Sequence, residues 1–200
     1  MKNLLLILCL CTALLGEAFS QDGGPQLPLR ISLFTHSIGM PFKTAIKRPL
    51  NWGVSVGTTY FYRKGDNHSW GQGFDLAWYR HKNLDQGLML RTSFRYEYTT
   101  PFGLTAGPIV SLGYLLTLNE REMYRLNERG AYEPIPLASR SSLMIGIGGR
   151  LGFDLSKVSN SLLKPYIEYD WAAQTPHSQI TSVFPHSMVH IGAIYPFGQP

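Results

Sequence analysis

Charged residues recur at positions that share one side of an alternating pattern: Asp75, Arg91, Arg95, Glu97, Arg150, Asp154, Glu168 and Asp170. Two carboxylates held near each other can divide acid and base work, and a row of charges can line an ion path. Arginines and carboxylates on one enclosed face can also neutralise one another as a network of ion pairs. The histidines His36, His68, His81, His177, His186 and His190 offer a second chemistry. On an extended segment His186 and His190 share a face but lie about 13 Å apart, too far for a single metal ion. Hydrolysis by a nucleophilic serine needs Ser and His within hydrogen-bond reach. The pairs His36-Ser37, His68-Ser69, His177-Ser178 and His186-Ser187 are adjacent in sequence, and neighbours on a strand point to opposite faces. The residues therefore predict a structural charge network, with no catalytic residue, no cofactor and no metal ligand.

What must position these charges is a set of strands. Residues 86–118 hold two alternating segments joined by the turn signal Thr100-Pro101-Phe102-Gly103. In the first, Leu88, Leu90, Phe94, Tyr96 and Tyr98 share one parity, and Met89, Arg91, Ser93, Arg95, Glu97 and Thr99 the other. In the second, the residues from Phe102 to Leu118 at even positions are apolar. Gly103, Thr105, Gly107, Ser111, Gly113 and Thr117 line the opposite face, with Ile109 and Leu115 as exceptions. A hairpin with one apolar and one charged face has no place in a dry sheet sandwich, because unpaired charge is costly to bury. The apolar face is read as facing lipid and the charged face as a lumen. Similar alternation predicts strands over residues 29–37, 52–63, 70–81, 141–155, 163–173 and 186–197. The total is eight, each about long enough to cross a bilayer when tilted. The connections after the second, fourth and sixth strands are short and three of those after the odd strands are long, as in outer-membrane barrels with short periplasmic turns. Trp52, Tyr62, Phe74, Tyr98, Phe102, Trp171, Tyr195 and Phe197 are expected to form the aromatic girdles. The predicted fold is all-β, an eight-stranded antiparallel up-and-down transmembrane β-barrel.

Composition agrees. Of 200 residues, 16% are charged, below the roughly 25% usual in soluble domains. A formal charge of +5 suits anionic lipid surfaces. Nucleic acid is excluded as a partner, since no basic run exceeds Lys47-Arg48 and the N-terminus directs export. Lys2, the apolar run 4–15 and Ala18-Phe19-Ser20 read as a secretory signal over residues 1–20, leaving 21–200 as the barrel domain. Both cysteines, Cys9 and Cys11, lie inside that signal, so the mature chain is expected to have neither disulfide nor thiol chemistry.

The stretch from Pro185 to Phe197, with Tyr79-Arg80-His81, Arg95-Tyr96 and Pro101-Phe102-Gly103, resembles small outer-membrane β-barrel proteins of Bacteroidota. The resemblance implies an OmpA/OmpX-like barrel in the cell outer membrane, inserted by the barrel-assembly machinery and surrounded by lipid and lipopolysaccharide. One departure is that the chain continues Gly198-Gln199-Pro200 beyond the closing aromatic. Within that class the expected role is a scaffold or accessory subunit with a side-chain-filled lumen. The alternatives are a lipid A-modifying hydrolase and a secreted lipocalin-like barrel, whose apolar side would face inward.

Two loops could make contacts. Lys43, Lys47 and Arg48 could touch lipopolysaccharide phosphates. The connection 119–140 is the longest, and its arms are expected to pair as a hairpin around Asn127-Glu128-Arg129-Gly130. Met123, Tyr124, Leu126, Tyr132 and Ile135 give it more apolar surface than a solvated loop needs, which makes it the candidate site for a protein partner.

Overall fold

The computed structural model describes residues 27–39, 51–81, 85–119, 123–126, 130–135, 139–175 and 183–196. The signal segment 1–20, the basic residues Lys43, Lys47 and Arg48, and Phe197 lie outside the described residues. Ten strands are present among them: β1 Leu29–Ile38, β2 Asn51–Lys64, β3 His68–His81, β4 Asp85–Thr99, β5 Leu104–Asn119, β6 Met123–Leu126, β7 Tyr132–Ile135, β8 Ser139–Phe153, β9 Lys164–Thr175 and β10 Phe184–Tyr195. Eight of them close into one antiparallel barrel in the order β1-β2-β3-β4-β5-β8-β9-β10, while β6 and β7 form a separate hairpin.

Parity decides which way the wall faces. Leu90 is 62% exposed and its neighbour Arg91 5%; Ile191 is 67% exposed and His190 2%. The apolar side chains point out and the charges point in. That overturns the lipocalin-like alternative, because its ligand cavity would need the reverse. An apolar belt around a closed barrel, with no free edge, is a surface for hydrocarbon.

The register is continuous around the wall. Leu29 leads through Thr58, Phe74, Thr92, Leu112, Ile145 and Ala173 to Pro185. The Pro185 carbonyl accepts from the Gly39 N–H at 3.1 Å. The path returns to β1 ten residues above its start, 39 minus 29. This stagger tilts the strands, so groups far apart in sequence meet at one level inside.

Both ends of the barrel chain, Leu29 and Tyr195, stand opposite each other at the end with the short turns. One of these turns is fixed by Gly103, whose φ of 98° favours glycine and whose N–H donates to the Thr100 carbonyl at 3.0 Å. A Cβ there would also stand 2.7 Å from the Asp154 carbonyl oxygen. The next turn carries a short 3-10 segment, Leu155–Lys157, capped by Asp154, which accepts from the Ser156 N–H at 3.1 Å. Trp52, Tyr62, Tyr98, Phe102 and Tyr195 are exposed near strand ends, as the girdle requires. Phe74 is not a girdle residue: it sits in mid-strand, opposite Thr58 and Thr92. Trp78, packed edge-on against Trp52 with centroids 5.5 Å apart, joins the ring at the other end.

Candidate functional site

The interior is stacked in three levels. The level nearer the short turns is ionic. Asp75 from β3 and Glu168 and Asp170 from β9 meet Arg30 from β1, Arg91 and Arg95 from β4, and Arg150 from β8. Asp75 pairs with Arg30, with Arg95 at 3.2 Å and with Arg91 at 3.4 Å. Glu168 accepts from Arg91 at 3.2 Å, Arg95 Nη1 at 2.9 Å and Arg150 Nε at 2.9 Å. Asp170 pairs with Arg91. The Arg150 guanidinium lies 4.3 Å above the centre of the Tyr166 ring, a cation–π contact. Each carboxylate is 1–2% exposed.

Glycines make room for these groups. Asp75 stands opposite Gly57 and Asp170 opposite Gly148, and a methyl group on either glycine would collide with the facing carboxylate. Tyr79 likewise lies over Gly87, its partner on β4. A bulky inward residue is thus matched by an absent side chain on the next strand.

Of the charges expected inside, Asp75, Arg91, Arg95, Arg150, Glu168 and Asp170 converge. Glu97 is half-buried and makes no ion pair among the described residues. Asp154 belongs to the turn instead, where Lys164 Nζ lies 2.5 Å from its Oδ2. Burial raises the affinity of that carboxyl for a proton. The hydrogen bonds from Lys164 and Ser156 outweigh this and hold its pKa below the usual carboxylate value. Arg30 and His190 complete the network although sequence reasoning did not include them. The inward parity of Arg30, next to Ser32 and His36, was the available signal.

Ser32, His190 and Asp170 lie in line. His190 Nδ1 is 3.1 Å from Ser32 Oγ, and its Nε2 is 3.5 Å from Asp170 Oδ2. The roles of the two ring nitrogens are reversed relative to a hydrolytic triad, in which Nε2 faces the serine. Ser32 is 3% exposed, and Phe34 stacks on the His190 ring at 4.6 Å. The Ser32–His190 contact joins β1 to β10. Ligand atoms of Glu168, Asp170 and His190 all lie within 4.8 Å of one another. Their carboxylates, however, are already engaged by guanidinium groups, which repel a cation.

The middle level is apolar. Phe34, Ala77, Tyr79, Met89, Leu115, Met144, Ala172 and Met188 form one buried cluster across the barrel. Leu115, an exception to the polar inner face in the sequence pattern, is fully buried here, and Ile109 is 3% exposed. They fill the lumen that alternation alone assigns to polar groups.

The level toward the long connections is a polar chamber. Gln174 Nε2 donates to Ser142 Oγ at 2.9 Å, and Gln174 Oε1 faces His186 Nε2 at 2.8 Å. His186 Nδ1 is 2.7 Å from His36 Nε2, and Asn51 Nδ2 is 2.7 Å from His81 Nε2. Met188 intervenes between His186 and His190 on the inner face of β10, so the two histidines sit in different levels.

Among the described residues the lumen carries side chains at all three levels, which is expected to obstruct ions. In planar bilayers the purified protein is expected to give no stable large conductance; sustained openings of porin size would refute the filled lumen.

Outside the barrel, β6 and β7 pair, with Leu126 opposite Tyr132 and Met123 opposite Ile135. Ala131 and Gly130 therefore both precede the second arm, and Gly130 adopts φ 77°. Residues 127–129 lie outside the described set. Tyr132 is 74% exposed. For Met123, Tyr124, Leu126 and Ile135 only the backbone pairing is described.

No family model and no curated protein sequence matches the chain. Solved structures do. Neisserial surface protein A (NspA) is similar with a TM-score of 0.60 at 8% identity, over 86% of this chain and 97% of that one. Ail, the attachment invasion locus protein of Yersinia pestis, gives 0.47 at 13% identity over 86% and 99%. The outer membrane enzyme PagL gives 0.47 at 10% identity over 84% and 99%. The first of these likenesses establishes the fold as that of a small eight-stranded outer-membrane barrel.

Proposed function

We propose that the protein is an integral outer-membrane barrel, of the small Bacteroidota kind its closing strand resembles, that works as a scaffold or accessory subunit rather than as an enzyme or a channel. The observation that carries this reading is the lumen. Among the described residues it is occupied by ion pairs, an apolar level and a hydrogen-bonded chamber, which supports a structural rather than a conducting role. A rigid barrel of that kind is suited to holding something at the membrane surface. The β6–β7 hairpin is the element it holds, and Tyr132 is its exposed anchor. Tyr is favoured where proteins meet, because its ring is apolar and its hydroxyl can still hydrogen-bond.

The test replaces residues 123–135 with a short Gly/Ser linker and compares crosslinked complexes from native membranes. The shortened protein is expected to insert and to keep different gel mobilities before and after boiling, while its partner disappears. Retention of the partner would move the contact to the lipid-facing wall or the short turns.

A further inference from the structure

The polar chamber contains a nitrogen with nothing to bind. Gln174 uses its Nε2 on Ser142, so its Oε1 accepts from His186 Nε2–H. His186 Nδ1 is then a lone pair and accepts from His36 Nε2–H. The chain of donors ends on His36 Nδ1, a bare lone pair on a residue 2% exposed, without a hydrogen-bond partner. A histidine that ligates a metal has this same arrangement: one nitrogen is free for the ion, and the other donates its N–H to a fixed acceptor that sets the tautomer.

The surrounding donors are soft. Met188 stands directly opposite His36 across the β1–β10 pair, and both side chains are buried inside. His186 is the preceding inward position on β10. Met89 and Met144, the other methionines of the barrel strands, lie in the same apolar cluster as Met188. Thioethers with imidazole select Cu(I) among biological cations. Charge points the same way. The ionic level beneath sets four arginines, Arg30, Arg91, Arg95 and Arg150, against three carboxylates, Asp75, Glu168 and Asp170. That surplus of positive charge opposes a divalent ion more than a monovalent one.

We propose that His36 Nδ1 and the Met188 thioether, with Met89 or Met144, form a binding site for a monovalent soft metal ion, cuprous copper. The bland reading of the same residues is that methionine fills an irregular core and a water caps the nitrogen. The experiment separates them.

The full mature protein, folded in detergent, is titrated anaerobically with Cu(I) against a chromophoric chelator. Ag(I), a redox-inert stand-in, is added to protein labelled with 13C at the methionine methyls. One equivalent is expected to bind and to shift the Met188 methyl resonance. Met188→Leu nearly preserves volume, and its folding is checked by heat-dependent gel mobility. It is expected to weaken binding by at least about tenfold. Zn(II) is expected not to compete. Absence of binding, equal binding by Met188→Leu, or displacement by Zn(II) would each overturn the proposal.

Discussion

Replacing Glu168 with alanine is expected to lower the stability of the folded barrel by about 3–5 kcal/mol. Its two oxygens take hydrogen bonds from Arg91, Arg95 and Arg150. Without the carboxylate, four guanidinium groups, counting Arg30, remain inside with only Asp75 and Asp170 to neutralise them. The cost comes from the charges left behind rather than from the lost contacts themselves. Arg150 stands opposite Glu168 and has no other ion-pair partner among the described residues. Arg150→Ala should therefore cost less in the Glu168→Ala background than in the native protein, by about 0.5–3 kcal/mol of coupling. Reversible urea unfolding in lipid vesicles measures all four states. Strict additivity would show that the pair does not interact.

The second large effect is steric. Gly148→Val is expected to abolish the folded, heat-modifiable form. A Cβ at Gly148 would collide with the Asp170 carboxylate and the Tyr169 carbonyl. Overpacking alone costs about 1–3 kcal/mol, and a displaced Asp170 also gives up its ion pair with Arg91. The adjacent Gly149 is the control. It points outward, and nothing lies nearer to its Cβ position than the Gly107 carbonyl at 3.8 Å. Gly149→Val is expected to stay within about 0.5 kcal/mol of the native protein. Urea titration of the two variants side by side checks this; a Gly148→Val protein as stable as Gly149→Val would show that the carboxylate does not need the space.

The wall was legible because lipid and lumen impose opposite demands on alternate residues. Arg91 and Arg95 announce the inner parity of β4 as plainly as Leu88 and Leu90 announce the outer one. The pairing of Arg150 with Glu168 followed too, since a turn centred near Ser159 places opposite each other residues whose numbers sum to about 318. Less was legible where the parity rule is relaxed. A narrow lumen must be filled as well as neutralised, so Met89, Leu115, Met144 and Met188 take inner positions that alternation reserves for polar groups. Contacts across the β1–β10 seam were hidden for another reason. Ser32 and His190 are 158 residues apart, and only closure of the barrel makes β1 and β10 neighbours. The likeness to NspA at 8% identity is a likeness of fold.

The distribution of the ionic level over the strands bears on how the protein enters a bilayer. Arg30 waits for Asp75, 45 residues later, and Arg91 for Asp170, 79 residues later. When β4 is complete, Arg91 and Arg95 share one carboxylate with Arg30; Arg150 on β8 adds a further cation before Glu168 arrives. A partial sheet would therefore carry net positive charge on the face it must bring together, and an open edge besides. Hydrocarbon rejects both. Strands β9 and β10 supply the last two carboxylates and the closing seam together. Insertion is thus expected to be tied to completion of these strands: only then does every arginine of the ionic level have a carboxylate partner.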